Sequence, residues 1–413
     1  TTTGAGVATT LVDSALMAKA NNIVNDDTWV MLEEEPASAA AIYDERKVSS
    51  LSNTDGTLTV LTFAAAPGTG IDYSMHRLGS PSDKRKAIVA ACRRAYPAIY
   101  KKVWDESRVS GNWLKDGSIE KWTSASAPTY WTVTTATAAQ TSTAGLVRTG
   151  TYSCKLDTAA GTLSQSVTNH ADLLMLRGHS VTFTAQARSD TASALRISIN
   201  DGVTQTYSSY HAGDSAWTED DPRQDGFYVE QRIADNATQV TFTVHLENLA
   251  ATAYVDDLRA IGPYHPRIYI GDLSLAQNMP KEVWIEPYYY STEKDWIPVR
   301  DWQVDSDGYL LLPTWYLTDR RLRIIGRGYL DFLTSGVSST AWTATVDVDQ
   351  PQLDILIAEA ILYFYMTKSL PNDTIGDRKG YQEMIAFWQA ESAQRKAKFS
   401  MPKFEQLVNY GVP

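Results

Sequence analysis

The sequence predicts an α+β protein of more than one domain, in which a domain of helices and a small antiparallel sheet carries an inserted all-β sandwich. Three observations predict it. The chain has 413 residues, more than one small core serves. Its texture changes twice, near Trp113 and near Pro263, and between those points short runs alternate apolar and polar residues. Outside them apolar residues recur at helical spacing, and neither flank makes a complete core alone. The divisions read from this are 1–112, 113–262 and 263–413.

In the first division, Leu11–Ala20 reads as a strand or short helix, and Thr28–Glu33 and Ala40–Tyr43 as extended pieces. Leu58–Phe63 alternates as a strand behind an Asp55-Gly56 turn. A helix follows over 81–103. Ser80 is its N-cap, Pro81 suits the first turn and Asp83 completes a capping-box-like pattern. Ile88, Cys92, Ala95 and Ile99 give its apolar face, and Pro97 is expected to kink it. Lys84, Arg85, Lys86, Arg93, Arg94, Lys101 and Lys102 cover the other faces, either as a solvated surface or as a contact with an acidic neighbour.

In the middle division, Val181–Ala187, Leu195–Ile199 and Val240–Leu246 alternate between turn-forming clusters, the pattern of a two-sheet sandwich. The third opens with a β-meander: Glu282–Glu286, Trp296–Val299, Trp302–Val304, Tyr309–Leu312 and Arg321–Gly326. Trp284, Trp296, Trp302 and Trp315 read as core and edges of that sheet rather than a ligand cage. Two helices follow. Asp349 and Pro351 start the first, and Ile355, Ala358, Ile361, Leu362 and Tyr365 form its apolar face. After a break at Leu370–Asp373, the second runs from about Asp377 to Lys398 with Tyr381, Met384, Ile385 and Trp388 inward. Packing helix 81–103 against the helices of 350–399 makes one core, with the sandwich inserted between the halves.

Composition narrows the function. A net charge of −11 disfavours sequence-specific reading of DNA and suits solubility, or a wall past which a polyanion slides. Cys92 and Cys154 form no CxxC or Cys–His motif and read as packed free thiols in a reducing compartment. The small, polar opening residues have no basic n-region and read as no secretory signal. Leu353–Met366, interrupted by Asp354 and Glu359, is too short and charged to span a membrane. Six His residues, no HExxH, no GxSxG and no P-loop leave no catalytic constellation, so the expectation is binding and assembly rather than catalysis.

Two resemblances sharpen this. Lys115-Asp-Gly-Ser-Ile-Glu120-Lys-Trp122, Gly150–Leu156 and Ala253-Tyr-Val-Asp256-Asp257-Leu258 resemble the opening, an internal strand and the close of the carbohydrate-binding-module jelly rolls found beside glycoside hydrolases and in phage structural proteins. The resemblance implies calcium shared by Glu120 and Asp256, with Asp257 in reserve. Ser118-Ile119 departs from it, since the pattern has an aromatic residue there. Sugar contact through exposed aromatics points to Trp131, Tyr207, Tyr210 and Trp217. The flanks, through Trp296–Trp302, Asp307–Leu312, Arg321–Tyr329, Asp349–Pro351, Ala358–Tyr365 and Tyr381–Lys398, resemble tailed-phage head-to-tail adaptor proteins. That implies a virion structural protein of the neck, assembled in the host cytoplasm. It would form a homo-oligomeric ring, a dodecamer, docked on the portal protein among neck and tail neighbours. Genomic DNA would pass through without sequence recognition and no membrane would be involved. Arg395, Lys396, Lys398 and Phe404 are the residues expected to face the portal. The competing expectations are a glycan-binding tail-fibre or adhesin component, and an accessory module of a polysaccharide-degrading enzyme.

Overall fold

The computed structural model describes residues 1–4, 6–17, 19, 23–24, 27–33, 42–218, 227–248, 251–287, 296–313, 318–334, 337–369 and 375–402. Ala40, Trp315, the Leu370–Asp373 break and Phe404 lie outside them. The chain is mostly β-sheet with four α-helices among the described residues: α1 (Pro81–Arg94), α2 (His170–Leu176), α3 (Leu353–Ser369) and α4 (Ile375–Phe399). It divides into two compact units, Thr1–Lys101 with the described residues from Tyr329 onward, and Lys102–Gly328. The sequence reading placed its divisions instead at 112/113 and 262/263.

In the first unit a five-stranded antiparallel sheet runs in the order 10–12, 57–60, 45–52, 29–32, 73–76. It buries Leu11, Val30, Leu32, Leu58 and Phe63. The Asp55-Gly56 turn is present, with Gly56 at φ 70°, a conformation that favours glycine. Helix α1 starts as expected, with Ser80 Oγ accepting from Asp83 N at 3.1 Å. It is not a kinked helix to residue 103. It ends at Arg94, because the residue before a proline is pushed out of the helical region, and Lys101–Val109 is a strand. Ala91, Cys92, Ala95 and Ile99 pack with Ile355 and Leu356 of α3 and with Leu330, so residues from both flanks share one core.

In the second unit two five-stranded antiparallel sheets face each other. Their orders are 137–141, 153–157, 253–261, 180–189, 228–232 and 205–207, 195–200, 240–246, 161–167, 132–134. This is the expected two-sheet sandwich. Alternation sends Phe183, Val255, Ile197, Phe242 and Val244 inward, and the Phe183 and Phe242 rings meet at 5.4 Å. The ends of the sandwich lie side by side: Trp113 N donates to Ala260 O, and Asn112 Oδ1 accepts from Ala260 N at 2.8 Å. Adjacent ends are what an insertion needs. The expected single meander is two small sheets, ordered 267–269, 309–311, 303–304 and 297–298, 275–285, 321–328, 101–109. The second recruits its edge from the strand misread as helix. Both cysteines are buried and free, and burial pushes both thiols up, Cys92 to about 11.

Candidate functional site

The outer face of the 195–200/240–246 sheet follows from its alternation. Leu195, Ile197 and Ile199 point inward, as do Val240, Phe242, Val244 and Leu246. Arg196, Ser198, Thr243 and His245 therefore point out. Register aligns these in two cross-strand rows: Tyr207, Ser198, Thr243, Ser164, Thr132, and Arg196, His245, Thr162, Thr134. The face has an aromatic border at one end; beside it Ser198 and Thr243 are buried, and the open hydroxyls are Thr132 and Thr134 at the opposite edge.

That border is built around Arg196. Its guanidinium lies 3.9 Å from the Tyr207 ring centroid and 4.9 Å from that of Tyr210. Glu247 holds it, accepting from Arg196 Nε at 2.8 Å and from Tyr210 Oη at 2.5 Å. Burial opposes ionisation of Glu247, but hydrogen bonds from Tyr210 and Arg196 outweigh it and hold the carboxyl below its ordinary value. The same bond raises the Tyr210 phenol. Ser198 Oγ pairs with His245 Nε2 at 2.7 Å and accepts from Gln205 Nε2 at 3.1 Å. Burial depresses the His245 imidazole against the pull of Glu247, and Arg196 adds to the depression. Tyr207 and Tyr210 remain 40% and 41% exposed, which leaves ring surface for a ligand.

The structure brings together two of the four expected aromatics, Tyr207 and Tyr210. Trp131 is corrected: it is buried in the sandwich core, and its Nε1 donates to Asp116 O at 3.1 Å. Trp217 bridges to Arg188 on the other sheet, with Nε1 on Gly145 O at 3.0 Å. Arg196, Glu247 and His245 were missed. Their only signal is that they occupy or adjoin polar positions of two alternating strands.

A second locus is the seam where the sandwich closes. Glu120 Oε1 accepts from Thr151 N at 2.8 Å and Tyr152 N at 3.0 Å. Asp256 Oδ2 accepts from Arg148 N and Thr149 N, each at 2.8 Å. The opening and closing carboxylates therefore grip one loop, 148–152. Burial pushes Glu120 up to about 7 and Asp256 well above the carboxylate range. Asp257 does not stand in reserve. Arg259 Nε and Nη2 engage its two oxygens at 2.9 and 2.6 Å. Among the described residues no three His, Cys, Asp or Glu side chains form a metal cluster. The other Asp256 oxygen is occupied too: Oδ1 accepts from Thr149 Oγ1 at 3.2 Å and from Asp257 N at 2.7 Å. Amide and hydroxyl donors thus fill the positions a calcium ion would take on Asp256, and the residues present do not fit the shared calcium site.

The residues expected to face a portal are placed differently from one another. Arg395 Nε donates to Glu391 and Nη1 to Asp354 O, each at 3.1 Å. Lys396 Nζ lies 2.7 Å from the buried Glu359. Both are thus engaged within their own unit. Lys398 is exposed, above the Phe399 ring.

Comparison with known proteins found no matching family model and no matching curated protein. Solved structures show similarity to part of the chain. TmCBM61, solved with β-1,4-galactotriose, has 16% identity and a TM-score of 0.27, with 37% of this chain and 99% of that one covered. The CBM22-1 xylan-binding domain of Paenibacillus barcinonensis Xyn10C has 14% identity and a TM-score of 0.27, covering 40% and 99%. The enzymatically active domain of bacteriophage CBA120 tailspike protein 4 has 11% identity and a TM-score of 0.27, covering 37% and 21%. The sandwich here stands on its own strand order and register, not on these likenesses.

Proposed function

We propose that the protein binds carbohydrate without catalysis, as the glycan-recognising component of a larger assembly such as a phage adhesin or tail fibre. The observation that carries this reading is the partly exposed Tyr207–Arg196–Tyr210 stack on the face of the sandwich. A sugar ring offers an apolar face for an aromatic side chain and hydroxyls that need fixed partners. Glu247 and Arg196 are oriented by each other and by Tyr210, so they supply such partners with little ordering cost. The test is glycan-array screening of the intact chain, followed by affinity electrophoresis. Retardation that disappears in Tyr207→Ala and Arg196→Ala is expected; an array with no hit sinks the reading.

A second reading keeps the neck adaptor: a ring on the portal through which DNA passes. An exposed apolar groove on the helical unit favours it, since ring subunits need surfaces that repeat around an axis. Subunit count separates the two readings, many copies in a ring against a trimeric fibre.

A further inference from the structure

Helices α1, α3 and α4 leave a groove of about 540 Å³ between them, walled by Ile88, Ile357, Phe364, Met384 and Trp388. Ile88, Ile357 and Met384 are exposed. Exposed apolar side chains around a concave apolar wall suit the apolar face of a docking segment. The polar groups here are few and distinct. Trp388 Nε1 is shielded from water with no hydrogen-bond partner, and Arg77 and Lys84 add two cations to the lining. The matching occupant is an apolar segment that carries an acid and a hydrogen-bond acceptor.

The sequence contains one. Beyond Pro402, Phe404, Leu407 and Val408 fall at i, i+3 and i+4, the spacing of one helical face, with Glu405 beside them. Its own groove is badly placed for it. The chain is pinned where Met401 N donates to Ala98 O and Tyr100 Oη to Pro402 O. Phe404 follows Pro402 by two residues, so in any conformation its own chain carries it no more than about 7 Å past that point. Lys84 lies about 15 Å before the C-terminal end of α1, and Met384 about 22 Å before that of α4. Phe404 of the same chain therefore cannot reach the part of the groove at Lys84 and Met384; one arriving from another molecule has no such limit.

We infer that residues 403–413 of a second copy seat the Phe404–Leu407–Val408 face in this groove, with Glu405 directed to Lys84. Copies are thereby linked head to tail, a contact that closes into a ring when its rotation permits. The inference is independent of glycan binding.

Mass photometry of the full chain tests it. The intact protein should be a multimer, and a chain stopped after Pro402 a monomer with unchanged melting temperature. Ile357→Asp should also be monomeric, and mixing it with the truncated chain should give a 1:1 heterodimer, one partner supplying the segment and the other the groove. A charge exchange needs no core change: Lys84→Glu should weaken association about fivefold, and adding Glu405→Lys should restore it. A monomeric intact protein, a truncated chain that stays multimeric, a mixture that stays monomeric, or a charge pair without rescue each overturns the inference.

Discussion

Glu120 and Asp256 direct their hydrogen bonds into a single loop, and both are harder to ionise for being buried. For Glu120 the folded carboxyl titrates near 7 against its ordinary 4.5. Stability tied to it is therefore complete below about 4.5 and is lost as pH rises through about 7. Glu120→Gln, which keeps an oxygen for the two N–H groups, should melt progressively higher than the parent from pH 5 to pH 8. Scanning fluorimetry across pH reads the difference, and parallel curves for the two would contradict it. At this scale the sequence was half legible. The two gripping carboxylates followed from the module's opening and close. Asp257 did not, because its partner Arg259 lies two residues away and a sequence does not show which neighbours curl back. Trp131 precedes an edge strand and looked like a platform, but aromatic identity does not reveal which side of a sheet a ring takes. Arg196 and Glu247 stand 51 residues apart, and only register joins them.

Between elements, the helical unit depends on one buried acid. Glu359 of α3 receives Arg94 Nε of α1 at 3.0 Å and Lys396 Nζ of α4 at 2.7 Å, with Ser392 Oγ as a third donor. Burial opposes its ionisation, but the bonds from Lys396 and Ser392 prevail and keep its carboxyl below the ordinary value. Glu359→Ala should lower stability by about 1–3 kcal/mol, at the low end because Arg94 and Lys396 can turn to water. Urea denaturation followed by tryptophan fluorescence measures it, and an unchanged midpoint would mean the triad adds nothing. Ser80→Ala should remove about 1 kcal/mol by freeing the Asp83 N–H that caps α1. The start of α1 was readable because capping is local. Its end was not, because the apolar spacing continues through Ile99 while the backbone has already left the helix. The residues beyond pair with strand 321–328, and Glu106 meets Arg323 at a separation of 217 positions.

For the molecule as a whole, the insertion was legible from the two changes of texture, but the reason that neither flank holds a core alone was wrong: Leu11, Val30, Leu32, Leu58 and Phe63 make a core within the first flank, built by strands too short to stand out in the sequence. Its limits were not, since the two small sheets belong by compactness to the unit of Lys102–Gly328. Two compact units predict two calorimetric transitions. A single transition would show that the units unfold together. The central claim is that the sandwich face bordered by Arg196, Tyr207 and Tyr210 recognises glycan. Its most direct test is isothermal titration of the full chain with an array-selected oligosaccharide, comparing the parent, Tyr207→Ala and Trp217→Ala at matched melting temperature. The account predicts at least about a tenfold loss of affinity, about 1.4 kcal/mol, in Tyr207→Ala and parental affinity in Trp217→Ala. Equal binding by the parent and Tyr207→Ala would contradict it.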